Sequence, residues 1–102
     1  MATITDTHLD YQGSIAIDKD LLDAAGMIPG EKVHVLNYHN SNRFETYTIV
    51  GKKGEISLRG PAAKLGKKGE KVVIIAYGIT DPTEAASYKP KIVLVDDTNK
   101  IK

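Results

Sequence analysis

Short apolar clusters separated by glycine, proline, asparagine and aspartate run along this chain, and their pattern predicts a protein made mainly of short β-strands. β-Branched residues dominate most of the clusters, and such side chains favour extended backbone. The predicted strands are, in chain order, Ala2 to Thr5, Ser14 to Ile17, Lys32 to Asn37, Arg43 to Val50, Glu55 to Arg59, Lys71 to Tyr77 and Lys91 to Val95. Strands this short, without a linker or an internal repeat, predict a single domain over residues 1–102, a small closed β-barrel with helical caps.

Two of the predicted strands differ in their expected burial. Between Lys32 and Asn37, Val33 and Val35 alternate with polar residues, which is the period of a strand with one buried face. Lys71 to Tyr77 is instead a largely continuous apolar run. We therefore expect this later strand to lie at the centre of the sheet, buried on both faces.

Short helical segments interrupt the strands. Asp18 is suited to cap a helix from Lys19 to Ala25, because its carboxylate can accept hydrogen bonds from the free amides of the first turn. Gly26 then ends this helix, since glycine tolerates positive φ. A single helical turn is predicted from Gly60 to Leu65, and a short helix from Pro82 through Ala86.

The composition narrows the classes of function. The chain carries 14 Lys and Arg against 13 Asp and Glu, so it has no overall field to concentrate nucleic acid, which is not expected as a partner. The absence of cysteine excludes disulfides, thiolate metal sites and cysteine nucleophiles. The longest apolar run, Val72 to Tyr77, is far below the roughly 20 residues of a membrane span. Because Met1 to Asp10 also lacks a signal-peptide pattern, we expect a cytoplasmic protein without a membrane partner.

No metal or phosphate site is expected. His8, His34 and His39 do not follow a metal-ligand spacing. The loops at residues 51–54 and 66–69 both read Gly-Lys-Lys-Gly, but neither is followed by the Lys-Ser/Thr and helix of a phosphate-binding loop. Both loops are interpreted as solvated turns.

The Gly13-Ser14 bond is the first candidate for chemistry. A serine hydroxyl beside a glycine with unusual dihedral angles can be reactive, and backbone strain at such a position can drive an acyl shift from nitrogen to oxygen. The same dipeptide is also an ordinary turn that leads into a strand. The residues alone leave both interpretations open.

Arg43, Thr46 and Tyr47 form a second candidate group, on one predicted strand. Arg43 can hold a carboxylate by two parallel hydrogen bonds, and Tyr47 can donate a proton. Strand alternation places Arg43 and Tyr47 on one face and Thr46 on the other. An exposed arginine beside a core tyrosine is the simpler interpretation of this pattern, and it also remains open.

Ordered motifs over nearly the whole chain carry a family resemblance. They include Leu-Asp-Tyr-Gln-Gly-Ser-Ile-Ala-Ile-Asp from Leu9, Asn-Arg-Phe-Glu-Thr-Tyr from Asn42, Gly-Pro-Ala-Ala from Gly60, Gly-Glu-Lys-Val-Val-Ile-Ile-Ala-Tyr from Gly69 and Lys-Pro-Lys-Ile-Val from Lys89. In these motifs the chain closely resembles the bacterial aspartate 1-decarboxylase family. Its members are pyruvoyl-dependent enzymes that make β-alanine for pantothenate synthesis.

The resemblance implies a fold, a cofactor and an assembly. The fold is a double-psi β-barrel, and the assembly is a homo-oligomer, a tetramer with active sites between neighbours. The chain would cut itself at Gly13-Ser14 and leave a pyruvoyl group in place of Ser14, without any metal. This ketone would form a Schiff base with L-aspartate and accept electrons as the α-carboxylate leaves.

The resemblance also implies roles for individual residues. Arg43 matches the arginine that binds the substrate carboxylate, Tyr47 the catalytic proton donor, and Thr46 the threonine that assists self-processing. Tyr11 matches a position in the substrate pocket. The remaining pocket positions are Gly60, Pro61 and Ala62.

Two features depart from the family pattern. Family members begin earlier, with a strand that carries Lys and His near the pocket, and Arg59 stands where the family has Asn. A charged, donor-only guanidinium at that position can block self-cleavage or occupy the pocket. We therefore expect an unprocessed proenzyme, shortened by nature or by engineering.

Two alternatives stay open at this stage. The first is a non-catalytic double-psi barrel scaffold, truncated or designed, that does not process itself. The second is a nucleic-acid-binding barrel of the transition-regulator type, which the near-neutral charge disfavours.

Overall fold

Seven β-strands in one curled sheet make up most of this protein, in a computed structural model that describes residues 1–102. The strands are β1 Ala2–Thr3, β2 Asp6–His8, β3 Ser14–Asp18, β4 Lys32–Asn37, β5 Arg43–Gly51, β6 Ile56–Arg59 and β7 Lys71–Ile75. Their order across the sheet is β1-β7-β4-β5-β3-β6-β2. The predicted mainly β class is confirmed, and the curled sheet is that of a small double-psi β-barrel.

β3 is the most deeply buried strand. It pairs in parallel with β5 and antiparallel with β6, and all five of its residues are buried. Ile15 lies opposite Leu58 on β6, and both side chains are fully buried. Because a shift of one residue would turn these side chains out of the core, the apolar pairs fix the register of β3. The same register places Ser14 opposite Arg59.

The hydrophobic core joins the inner face of the sheet to the first helix. Val33 and Val35 face inward as their alternation predicted, with 1% and 0% of their surface exposed. The buried apolar side chains are Ile4, Ile15, Ile17, Leu21, Leu22, Val33, Val35, Ile56, Leu58, Ala62, Val72 and Val95.

The first helix, α1, spans Lys19–Ala25, as predicted. Its cap Asp18 accepts a hydrogen bond from the Asp20 amide at 2.8 Å through one carboxylate oxygen. The other oxygen accepts from the Gly54 amide at 2.7 Å, in the turn before β6. Asp18 therefore ties the start of the helix to a distant turn, and Gly26 ends the helix with a φ of 74°.

Two shorter helical segments follow. A 3-10 turn spans Gly60–Lys64, and helix α2 spans Pro82–Ala85, so each ends one residue before its predicted end. No helix of the structure is long and apolar enough to cross a membrane.

The burial predicted for β7 is wrong. Val73 is 39% exposed. β1 pairs only with Lys71 and Val72, at one edge of β7. The apolar run identified a strand but not what packs over it, and no element of this chain covers its outer face. The strand buried on both faces is β3 instead.

The predicted strands at the two ends of the chain also differ from the structure. The first strand stops at Thr3, and the polar residues of β2 form an additional strand against β6. No strand forms over residues 91–95, where only Val95 makes an isolated bridge, to Ile101. A strand needs partners for its backbone hydrogen bonds, and here only the Leu94 carbonyl finds one, the Lys102 amide at 2.9 Å.

Replacing Asp18 tests the link between α1 and the turn. Asp18→Ala removes the helix cap and leaves the Gly54 amide without its acceptor, so the free energy of unfolding should fall by about 1–2 kcal/mol. Urea denaturation measures this change. Asp23→Ala is the control, because it removes only an exposed ion pair with Lys19 and should leave the stability close to that of the unmodified chain. Equal losses in both variants would contradict the assignment.

Candidate active site

The Gly13-Ser14 bond lies where the chain enters β3. Ser14 is the first residue of that strand and only 3% exposed. Its hydroxyl donates a hydrogen bond to the carbonyl oxygen of Gln12 at 3.2 Å. The hydroxyl is therefore folded back along the chain, over Gly13, and not forward along the strand.

Gly60 packs its backbone against the Gln12-Gly13 peptide, one peptide before this bond. Its φ is 67°, in the left-handed region, and a Cβ placed on it would lie 2.6 Å from the Gly13 nitrogen. No side chain fits in that space, and the positive φ disfavours one as well. A Cβ on Gly13 would in turn lie 3.5 Å from Pro61 Cδ, so Pro61 borders the same bond.

Arg59 stands opposite Ser14 in the β3–β6 pair, but its charge is directed elsewhere. Its Nη2 lies 3.2 Å from Glu55 Oε2, and its Cζ lies 4.9 Å from the centre of the Tyr11 ring. Its Nε is buried without a hydrogen-bond partner. No hydrogen bond joins Arg59 to Ser14, so the guanidinium does not bind the hydroxyl.

Tyr11 links this cluster to β2. Its ring packs edge to face with His8 at 5.5 Å, and His8 Nε2 lies 2.8 Å from Asp6 Oδ2. Sequence analysis assigned no role to His8, Asp6 or Glu55. The only sequence signal for them is polar residues in a strand, which is also the pattern of an exposed edge.

The residues of β5 divide between its two faces as alternation predicted. Arg43 and Tyr47 are exposed, and Thr46 lies directly opposite the buried Val33 of β4. Thr48 is fully buried and pairs with Ile15 of β3.

Only part of this second group lies near Ser14. The β3–β5 pair is parallel and matches Ile15 with Thr48, so the same register carried one residue back sets Tyr47 beside Ser14. Arg43 comes four residues before Tyr47, which is about 13 Å further along the strand at roughly 3.3 Å per residue. Within one chain, therefore, Tyr47 is near the bond and Arg43 is not.

Glu45 lies between Arg43 and Tyr47 on the exposed face. Its Oε2 is 2.8 Å from Lys32 Nζ, and its Oε1 is 3.2 Å from His34 Nε2. These hydrogen bonds hold the pKa of the Glu45 carboxyl below its ordinary value, and the one from Lys32 has the larger effect. Arg43 makes no ion pair with any residue of the chain.

Two further observations concern the predicted pocket. Ala62 is 7% exposed and belongs to the hydrophobic core, while Gly60 is buried against the Gln12-Gly13 peptide. An apolar groove of about 840 Å³ lies along β7 and residues 90–95, and it contains none of the predicted site residues. The candidate site is therefore the neighbourhood of Gly13-Ser14 and not this groove.

Known proteins with similar sequences were then compared with the chain. The profile of the family described as aspartate decarboxylase matches residues 1–102. The aspartate 1-decarboxylase of Carboxydothermus hydrogenoformans is 53% identical over 102 residues, which are 98% of this chain and 80% of that protein. The Bacillus subtilis enzyme of the same name is 51% identical over 98% of this chain and 80% of its own. The aspartate 1-decarboxylase of Neisseria meningitidis is 52% identical over 99% of this chain and 81% of that protein.

These relatives share about half of their residues with the chain over almost its whole length. The profile match likewise includes every segment that builds the neighbourhood of Gly13-Ser14. The chain therefore belongs to the aspartate decarboxylase family.

Proposed function

We propose that this chain is the proenzyme of a pyruvoyl-dependent decarboxylase that converts L-aspartate to β-alanine and CO2. The packing of Gly60 against the Gln12-Gly13 peptide, directly before the Gly13-Ser14 bond, with the Ser14 hydroxyl folded back over Gly13, is the observation that carries the proposal. A family whose relatives are named aspartate 1-decarboxylase supports the choice of substrate.

Self-cleavage begins with the Ser14 hydroxyl. Its oxygen bonds to the Gly13 carbonyl carbon, the bond from that carbon to the Ser14 nitrogen breaks, and the hydroxyl proton moves to the nitrogen. Loss of the Ser14 Cα proton then expels Gly13 as a carboxylate. Water finally replaces the nitrogen, which leaves as ammonia, and a ketone remains at position 14. Thr46 is proposed to assist the first step, because it comes two residues before Thr48 as Gly13 comes two residues before Ile15, the partner of Thr48 in the parallel β3–β5 pair.

The chemistry that position 14 then supplies is that of a pyruvoyl ketone, which takes up the substrate amine and the electron pair released with CO2. Arg43 binds the carboxylate that the substrate keeps, by two parallel hydrogen bonds. Tyr47 returns a proton to the α-carbon from its place beside position 14. Tyr11, Gly60 and Pro61 form the wall of the pocket, with Ala62 behind them in the core.

Release of labelled CO2 from aspartate labelled in its α-carboxylate tests this function. The unmodified chain should release label after self-processing. Ser14→Ala should release none, because alanine has no oxygen to attack Gly13 and cannot become a ketone. Absence of label from the unmodified chain, after incubation long enough to complete any cleavage, would favour the non-catalytic scaffold.

Arg59 is proposed to slow self-processing. Its side chain leaves β6 opposite Ser14, and its guanidinium is held by Glu55 and Tyr11. A neutral asparagine is shorter, and its amide both donates and accepts hydrogen bonds.

Arg59→Asn should therefore speed cleavage by about tenfold or more, which corresponds to roughly 1.4 kcal/mol of activation free energy. Denaturing gel electrophoresis over time measures the rate. Arg59→Lys is the matched control, because it keeps the charge and most of the length and should cleave about as slowly as the unmodified chain. Slower cleavage by Arg59→Asn would contradict the proposed role.

We also propose that the active protein is a homotetramer in which neighbouring chains share each site. Arg43 lies too far along β5 to reach substrate held at Ser14 of its own chain, whereas Ser14 of a neighbour can complete the site. Exposed apolar side chains on and beyond β7 supply surface for such contacts. They are Val73, Tyr77, Tyr88, Ile92 and Leu94.

Sedimentation velocity tests this assembly. A species of four times the 11.1 kDa chain mass is expected at micromolar concentration. Ile92→Asp, at a 76% exposed apolar position, should shift that species towards smaller ones, while Lys68→Asp on an exposed loop should not. A monomer at every concentration would contradict the shared site.

A further inference from the structure

One face of β5 carries a row of polar side chains whose arrangement the proposed function does not explain. Arg43, Glu45 and Tyr47 occupy alternate positions, so all three side chains leave the same exposed face of the sheet. Their cross-strand partners on β4 are Leu36, His34 and Lys32, respectively. An acidic residue thus lies between the proposed carboxylate ligand and the proposed proton donor.

Both carboxylate oxygens of Glu45 are bound by residues of β4. Oε1 faces His34 Nε2 from the directly opposite position, at 3.2 Å, and Oε2 meets Lys32 Nζ from the diagonal position, at 2.8 Å. Direct and diagonal neighbours are both within reach of long side chains in an antiparallel pair. Glu45 is therefore held laterally, towards β4, and not along its own strand.

The imidazole of His34 is itself fixed in place. The Tyr77 ring packs against it edge to face at 5.2 Å, and its Nδ1 is buried without a hydrogen-bond partner. Of the two ring nitrogens only Nε2 has an acceptor within reach, so we assign a proton to Nε2, which donates to Glu45.

Arg43 is left without an acidic partner by this arrangement. Residues two apart on one face of a strand are close enough for an arginine and a glutamate to form an ion pair. Yet no carboxylate of the chain lies within ion-pair distance of Arg43, and both oxygens of Glu45 are occupied. A released Glu45 would compete with a substrate carboxylate for the same guanidinium, because Arg binds either carboxylate in the same bidentate way.

We propose that Lys32 and His34 are positioning residues that hold Glu45 away from Arg43 and so keep the guanidinium free for a dicarboxylate substrate. This inference rests on the proposed role of Arg43. It assigns a task to Lys32, His34 and Glu45, to which the proposed function gives no role. The Lys32 and His34 hydrogen bonds also favour the ionised form of the Glu45 carboxyl, since they lower its pKa.

Succinate binding to the uncleaved chain tests this inference apart from catalysis. All variants carry Ser14→Ala, so that processing does not differ among them, and NMR titration of backbone amides gives the dissociation constant. Lys32→Gln with His34→Gln should weaken succinate binding by about two- to fivefold, the range of an exposed ion pair. Adding Glu45→Gln to that pair should restore the affinity, because a neutral amide does not compete for Arg43.

The controls separate this inference from the function on which it rests. Lys19→Gln is the matched control, since it removes an exposed lysine ion pair on α1 and should leave succinate binding unchanged. Arg43→Gln should abolish binding. If Arg43→Gln binds succinate as well as its parent, the proposed role of Arg43 fails, and this inference fails with it.

Two results would overturn the inference while the role of Arg43 stands. One is unchanged binding in the Lys32, His34 double variant. The other is weakened binding that Glu45→Gln does not restore, because Lys32 and His34 would then act on succinate directly. The same two substitutions, made in a chain that keeps Ser14 and has been cleaved, should raise KM for aspartate with little change in kcat. A structural defect would lower kcat as well.

Discussion

The close approach of the Gly60 backbone to the Gln12-Gly13 peptide, directly before Ser14, is the constraint on which the rest of the candidate site depends. It needs a residue without a side chain and with positive φ at Gly60. It also needs β3 and β6 in one register, which the buried Ile15 and Leu58 pair fixes. Core packing thus sets the position of the reactive hydroxyl, and a small shift of β6 would remove both the wall of the site and the partner of β3.

The two faces of β5 carry different parts of the candidate site. The inner face is occupied by Thr46 and Thr48, which join the strand to the core and to β3. The outer face presents Arg43 and Tyr47 to solvent, with Glu45 held between them by β4. A strand with one face in the core keeps the side chains proposed for catalysis on a rigid element, and it leaves Arg43 free for a ligand from outside the chain.

How much of this could be predicted depends on the range of the interactions. Helix α1 was predicted to the residue because its signals are local, with Asp18 as the cap and Gly26 as the stop. The burial of β7 was predicted wrongly, because it depends on what packs over the outer face of Val73, which the apolar run does not encode. The direction of the Arg59 guanidinium and the ties of Glu45 depend on strand register, so no local pattern reveals them.

The central claim of this account is that the chain cuts itself at Gly13-Ser14. Mass spectrometry of the purified, unmodified protein after long incubation tests it most directly. We expect two fragments, one that ends in the carboxylate of Gly13 and one that begins with a ketone in place of Ser14. The sum of their masses should equal the mass of the intact chain plus water minus ammonia. A single species with the mass of the intact chain would contradict it.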